Sequence, residues 1–184
     1  KVLDRESNRQ MVSVAATGFG MYVWAIEGKS ERVYKAFHTT LKNNPKKNRG
    51  WFYHFVNEEG NPVNNTEVST IDSTIFYLGA LRAAELINNK DFLKEVKDAI
   101  SSVDIKWMMK NNLIRHGLYW EGENPRFIDV VWDNYSEGIM IYKLFNLPYT
   151  PTKTTYDLSL FVYYYPLCFY DDAIMVENLK KAIA

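Results

Sequence analysis

The stretch NRQMVSVAATGFGMYVWAIE, residues 8–27, decides how the chain reads. It carries Val12, Val14, Ala15, Phe19, Met21, Val23, Trp24 and Ile26 with no charge between Arg9 and Glu27. That predicts a helix apolar nearly all round, the pattern of a helix buried on several sides. The next stretch, 30–43, is of the opposite kind: Ser30 is a good N-cap, and Val33, Phe37 and Leu41 recur one turn apart among Glu31, Arg32, Lys35 and Lys42. That spacing predicts an amphipathic surface helix.

The contrast repeats along the chain. A third helix over 70–88 is again apolar from Ile75 to Leu81, and Ser69 with Asp72 three residues on resembles a capping box. A fourth, 90–110, alternates Phe92, Leu93, Val96, Ile100 and Val103 with charged positions. A fifth, 134–145, has Lys143 as its only cation, and a sixth, 172–183, is amphipathic. Helices joined by short links run antiparallel to their predecessors, so the first, third and fifth should point one way. Apolar inner helices wrapped by amphipathic outer ones form an α/α toroid. Three such pairs make an open arc and predict an all-α fold, as one domain over 1–184. Two connections, 51–56 and 113–120, each followed by a Gly-bearing turn, read as short β-hairpins.

Composition narrows the function. The 184 residues hold 22 basic and 22 acidic side chains, so nothing in the bulk charge draws nucleic acid or anionic lipid. One cysteine, Cys168, excludes an internal disulfide framework. The uncharged run 11–26 falls short of the roughly 20 residues of a membrane span. His38, His54 and His116 lack metal-site spacing, and no GxSxG, GxGxxG or P-loop pattern occurs. No metal and no cofactor are expected. Aromatic residues are abundant at 15%.

Parallel third and fifth helices bring the segments that feed them, 66–72 and 131–137, to one end of the arc. Four acids lie there: Glu67, Asp72, Asp133 and Glu137. Each alone reads as a helix cap or a dipole partner, worth roughly 0.3–1 kcal/mol. Together with Trp51, Tyr53, Tyr119, Trp120, Trp132 and Tyr135 in the adjoining segments they point to sugar chemistry. Pyranose C–H faces pack on aromatic rings, and glycosidic cleavage needs two carboxyl groups. His54 reads equally as a cleft residue and as a satisfied strand histidine.

These residues also resemble a known family, the bacterial glucoamylase-like domain that includes β-1,2-glucanases and a domain of cyclic β-1,2-glucan synthases. The resemblance rests on Ala15-Ala16-Thr17-Gly18-Phe19-Gly20, Gly50-Trp51-Phe52-Tyr53-His54-Phe55, Glu67-Val68-Ser69-Thr70-Ile71-Asp72, Trp107-Met108-Met109, Arg115-His116-Gly117 and Trp132-Asp133-Asn134-Tyr135-Ser136-Glu137, in that order. It covers about the N-terminal half of the family domain, an (α/α)6 barrel of twelve helices, and so implies an α/α toroid that is about half of that barrel, in agreement with the three pairs. It implies an inverting β-glucan hydrolase with Glu137 as catalytic acid, and Glu67 and Asp72 as acids that bind sugar hydroxyls or position water. It also implies a periplasmic or extracellular location. Asn57 stands where the family has an Asp and cannot act as a base, Thr66 replaces a Ser, and 163–168 departs from the family pattern. A non-catalytic carbohydrate-binding or assembly module is therefore the alternative. The half barrel predicts pairing with a second copy or a complementary C-terminal half, and weak binding with slow or no hydrolysis by this chain alone.

Overall fold

The structure, a computed structural model, describes residues 2–5, 8–63, 65–148 and 150–184, with the backbone alone for 4, 5 and 8–10. Strands β1 (Val2–Arg5) and β2 (Asn8–Ser13) lead into α1 (Val14–Ile26) and α2 (Ser30–Asn43). Short strands β3 (Phe52–Tyr53), β4 (Phe55–Val56) and β5 (Val68–Ser69) precede α3 (Thr70–Ile87) and α4 (Lys90–Ser101). Then come β6 (Met109–Lys110), β7 (Leu113–Ile114), β8 (Gly117–Glu121), β9 (Asn124–Phe127), α5 (Ile139–Leu144), α6 (Phe161–Leu167) and α7 (Ala173–Ile183).

The fold is mixed rather than the expected all-α half toroid: 50% helix and 17% strand, with three antiparallel sheets. The deciding stretch itself shows why. Only its second part is helical. Residues 8–13 pair as a strand with β1 on one side and, through Val12 and Ser13, with β4 on the other. Ser13 then caps α1, its Oγ accepting from Ala16 N at 3.1 Å. Met11 and Val12 are buried in the strand and Val14 in the helix. One apolar run thus serves two elements, which an aperiodic run cannot reveal.

Other boundaries moved for local reasons. The fourth helix stops at Ser101 instead of 110, because Asp104 Oδ1 accepts from Trp107 N and turns the chain into a 3-10 turn and the β6–β7 pair. The fifth shrinks to Ile139–Leu144, with Asn134 bridging to Lys153 and 135–138 in bends and turns. α6 was not foreseen. The segment 51–56 is not a hairpin: β3 pairs with β5, and β4 with β2. The segment 113–120 divides between two pairs, β7 with β6 and β8 with β9, the latter closing over Gly122 at φ 62°, as a two-residue turn with glycine first requires.

α3 is the centre. It packs on α1, α2, α4 and α5, and residues on every side of it are buried. Its contact with α1 is backbone on backbone: a Cβ at Gly79 would lie 2.0 Å from the Gly18 carbonyl oxygen, and one at Gly18 2.5 Å from that of Ile75. α1 is less enclosed than expected, since Val23 and Ile26 are exposed. α2 and α4 bury one stripe each, through Val33, Ala36 and Phe37 and through Phe92 and Val96. Among the described residues no helix is long and apolar enough to cross a membrane.

Candidate functional site

The four-stranded sheet β3-β5-β8-β9 sets the site. β5 runs straight into α3, so Ser69 is at once the last strand residue and the helix N-cap, its Oγ accepting from Asp72 N at 3.2 Å. The same hydroxyl donates to Asp72 Oδ2, which fixes that carboxylate in the first turn. His54 sits at the joint between β3 and β4. Its N–H donates to the Glu67 carbonyl at 2.9 Å, and its carbonyl accepts from Val14 N at 3.2 Å. The imidazole therefore enters the space between the two acids, with Nδ1 3.0 Å from Glu67 Oε1 and Nε2 3.4 Å from Asp72 Oδ1.

That space is one cavity of about 540 Å³. The first turns of α1 and α3 supply Ala15, Ala16, Ser69 and Asp72, and His54 and Glu67 come from beside them. Trp132 and Glu137 enter from the turns before α5, and Phe161 and Tyr165 from α6. Trp132 is held by its indole N–H, which donates to Thr70 Oγ1 at 3.0 Å, and by His116, stacked on it with ring centres 3.7 Å apart.

Electrostatics separate the three carboxyl groups. The hydrogen bond from His54 holds Glu67 below the usual carboxylate range, against the effect of burial. Burial pushes Asp72 up, with His54 and the Ser69 hydroxyl pulling it back. Glu137 is pushed up to about 7, first by burial and then by the charge of Asp72. His116 moves down because it is buried, with Asp133 acting the other way. At neutral pH the cavity thus offers a protonated or half-protonated Glu137 beside an ionised Glu67, the division of labour that acid–base chemistry needs.

Of the residues expected at a sugar site, Glu67, Asp72, Glu137, His54 and Trp132 line this cavity, and the rest do not. Trp51 is core: fully buried, it donates its indole N–H to the Asp104 carbonyl at 3.0 Å and meets Phe145 edge-on. Tyr135 is buried and donates to Asp172 Oδ2 at 2.7 Å, bracing the cap of α7. Asp133 is half exposed and pairs with Lys153 at 3.6 Å. Tyr53, Tyr119 and Trp120 line a separate hollow with Thr66 and Arg126. Trp120 is tied there, donating to Asn48 Oδ1 at 2.9 Å, with Lys47 over its ring at 4.4 Å.

His116, Phe19, Phe161 and Tyr165 line the cavity without having been singled out. The repeated rings of 161–165 were the available signal, but without a helix there the segment has no direction. Among the described residues no group of three His, Cys, Asp or Glu side chains is placed to hold a metal ion. No protein-family model matches the chain, and no curated protein or solved structure matches it.

Proposed function

We propose that the cavity binds a β-linked glucan and cleaves it by acid–base chemistry, with Glu137 as the proton donor. The observation that carries this reading is a buried carboxyl group held up to about 7 in the same cavity as Asp72 and Glu67, under aromatic walls. A proton on Glu137 reaches the leaving glycosidic oxygen, while an ionised partner takes one from the water that attacks the anomeric carbon. Trp132 and the rings of α6 offer faces for the apolar side of a pyranose. Burial strengthens each of these interactions by excluding competing water. The sequence resemblance adds the linkage, β-1,2, and the inverting course.

A second reading, a binding module without turnover, draws on two observations. Asn57, at the position of the family's Asp, accepts from Asn61 N at 2.9 Å and is not among the cavity-lining residues. Asp72 already answers to Ser69 and His54, which competes with water activation.

Reducing-end release from linear β-1,2-glucan separates the two. The enzyme reading expects release that Glu137→Gln lowers about 100- to 10,000-fold, with oligosaccharide affinity retained. Binding with no release in the unaltered chain selects the module. Hydrolysis that survives Glu137→Gln removes Glu137 from the chemistry.

A further inference from the structure

Three carboxyl groups share the cavity wall, yet among the described residues no lysine or arginine lines it. Buried carboxylates without a counter-charge protonate or are pulled apart, so the source of compensation has to be found among the neutral-looking groups. His54 is in that position. Glu67 Oε1 faces one ring nitrogen at 3.0 Å, and Asp72 Oδ1 faces the other at 3.4 Å. An ionised carboxylate only accepts hydrogen bonds, and a neutral imidazole has one N–H and one lone pair. A neutral ring that donates to Glu67 would turn its lone pair toward the Asp72 carboxylate, whereas an imidazolium donates to Glu67 and faces Asp72 as an opposite charge at ion-pair distance.

The ring is not free to turn away. Its backbone is bonded on both sides, to the Glu67 carbonyl and to Val14 N, and its face stacks on Phe55 with ring centres 3.7 Å apart. The carboxylates are likewise oriented from behind: the Thr66 hydroxyl donates to Glu67 Oε2 at 3.4 Å, and the Ser69 hydroxyl to Asp72 Oδ2.

We propose that His54 is a positioning residue, an imidazolium clamped between Glu67 and Asp72 that keeps both ionised and leaves Glu137 as the single proton donor of the cavity. The donor part of this assignment rests on the glucan-cleaving reading. The clamp itself does not.

The groups facing His54 all bear on its charge. Glu67 and Asp72 come from the β5–α3 junction and Glu137 from the turns before α5, with His116 and the Tyr165 phenol across the cavity. The three acids favour the cation. In the other direction, the charge on His54 lowers all three carboxyl groups, most directly Glu67 through the hydrogen bond. Removing it therefore raises all three.

The test begins with the resting protein. Nitrogen-15 NMR of the His54 ring at pH 7 should show both nitrogens protonated, with a titration well above the ordinary imidazole value of about 6.5. A neutral, single-tautomer His54 at pH 7 overturns the clamp. In His54→Gln, carbon-13 NMR should show Glu67 and Asp72 titrating about one pH unit higher and Glu137 moving in the same direction, with the acid limb of any hydrolysis shifted to higher pH. A merely structural histidine would cost stability and leave these titrations in place, so unchanged carboxyl titrations in a folded variant also overturn the proposal. If the variant does not fold, the nitrogen measurement alone decides. Neither titration needs sugar. Failure to bind any glucan therefore sinks the functional reading with the clamp intact, and a neutral His54 in a protein that hydrolyses glucan does the reverse.

Discussion

Glu137 is where sequence chemistry and folding energetics meet most directly. Its carboxyl group titrates near 4.5 in an unfolded chain and near 7 in the fold, and the sign of the consequence follows. Below 4.5 both states hold the proton and the residue makes no pH-dependent difference. Between 4.5 and about 7 the unfolded chain gives the proton up while the fold retains it, so stability falls as pH rises. Above about 7 the whole cost is present, up to about 3 kcal/mol at 1.36 kcal/mol per pH unit. Burial of Asp72 acts in the same sense and the His54 bond to Glu67 in the opposite one. Glu137→Gln removes the ionisable group while keeping its shape. Thermal unfolding should then show the variant several degrees more stable than the unaltered chain at pH 8 and equal to it at pH 4. A variant of unchanged or lower stability at pH 8 would mean that Glu137 is not held in its uncharged form. A residue kept at such a cost to stability is the pattern of a functional site, and the same substitution that raises stability is expected to end turnover.

At the scale of elements, the close approach of α1 and α3 determines how the cavity wall is built. Both helices begin on the cavity, and Gly18, about one turn into α1, and Gly79, between two and three turns into α3, let their backbones touch beside it. The clash at either position is with backbone of the other helix, so no side-chain rotation relieves it. Gly79→Ala should cost about 3 kcal/mol or more, beyond the usual range of overpacking, while Gly28→Ala, with open space around it and φ 71°, should show only a modest backbone cost. Denaturant midpoints of the two variants measure the difference, and an equal small loss in both would mean that the helices can separate. The glycines were visible in the sequence, as were α2, α3 and α7, whose stripes and caps carry periodic information. The segments 51–56 and 113–120 were legible as strand, but their partners were not. Pairs two residues long, such as Phe52–Tyr53 with Val68–Ser69, hold their place through partners far away in sequence, and local pattern carries no trace of that. The site followed the same division. The meeting of Glu67 and Asp72 was legible because the start of α3 could be read, and Glu137 joins them from turns where the pattern predicts helix, whereas Trp51 and Tyr135 were misplaced because a ring beside a predicted cleft looks the same whether it faces in or out.

For the whole molecule, the cavity is a product of folding in a strict sense. Its walls come from 13–19, 54–75, 116–137 and 161–165, segments that meet only when both the β3-β5-β8-β9 sheet and the helix layer are formed. An unfolded chain has no such site, so a ligand of this cavity binds the native state alone and stabilises it by mass action, by about 2.7 kcal/mol at a hundred times its Kd. For a chain of this size that corresponds to a rise in Tm of roughly 5–10 °C. Short β-1,2-linked gluco-oligosaccharides should therefore raise the unfolding temperature in a saturable manner, and Glu137→Gln should respond as fully as the unaltered chain, because its amide still offers hydrogen bonds to sugar hydroxyls. Trp132→Ala should respond weakly even at high sugar, since the ring that faces the pyranose is gone. Equal responses to β-1,2-linked, β-1,4-linked and α-linked oligosaccharides would show that the aromatic walls take sugars without reading the linkage. No response to any of them, in a chain whose Glu137 still titrates near 7, would leave an acid–base site intact and assign it to a substrate other than a glucan.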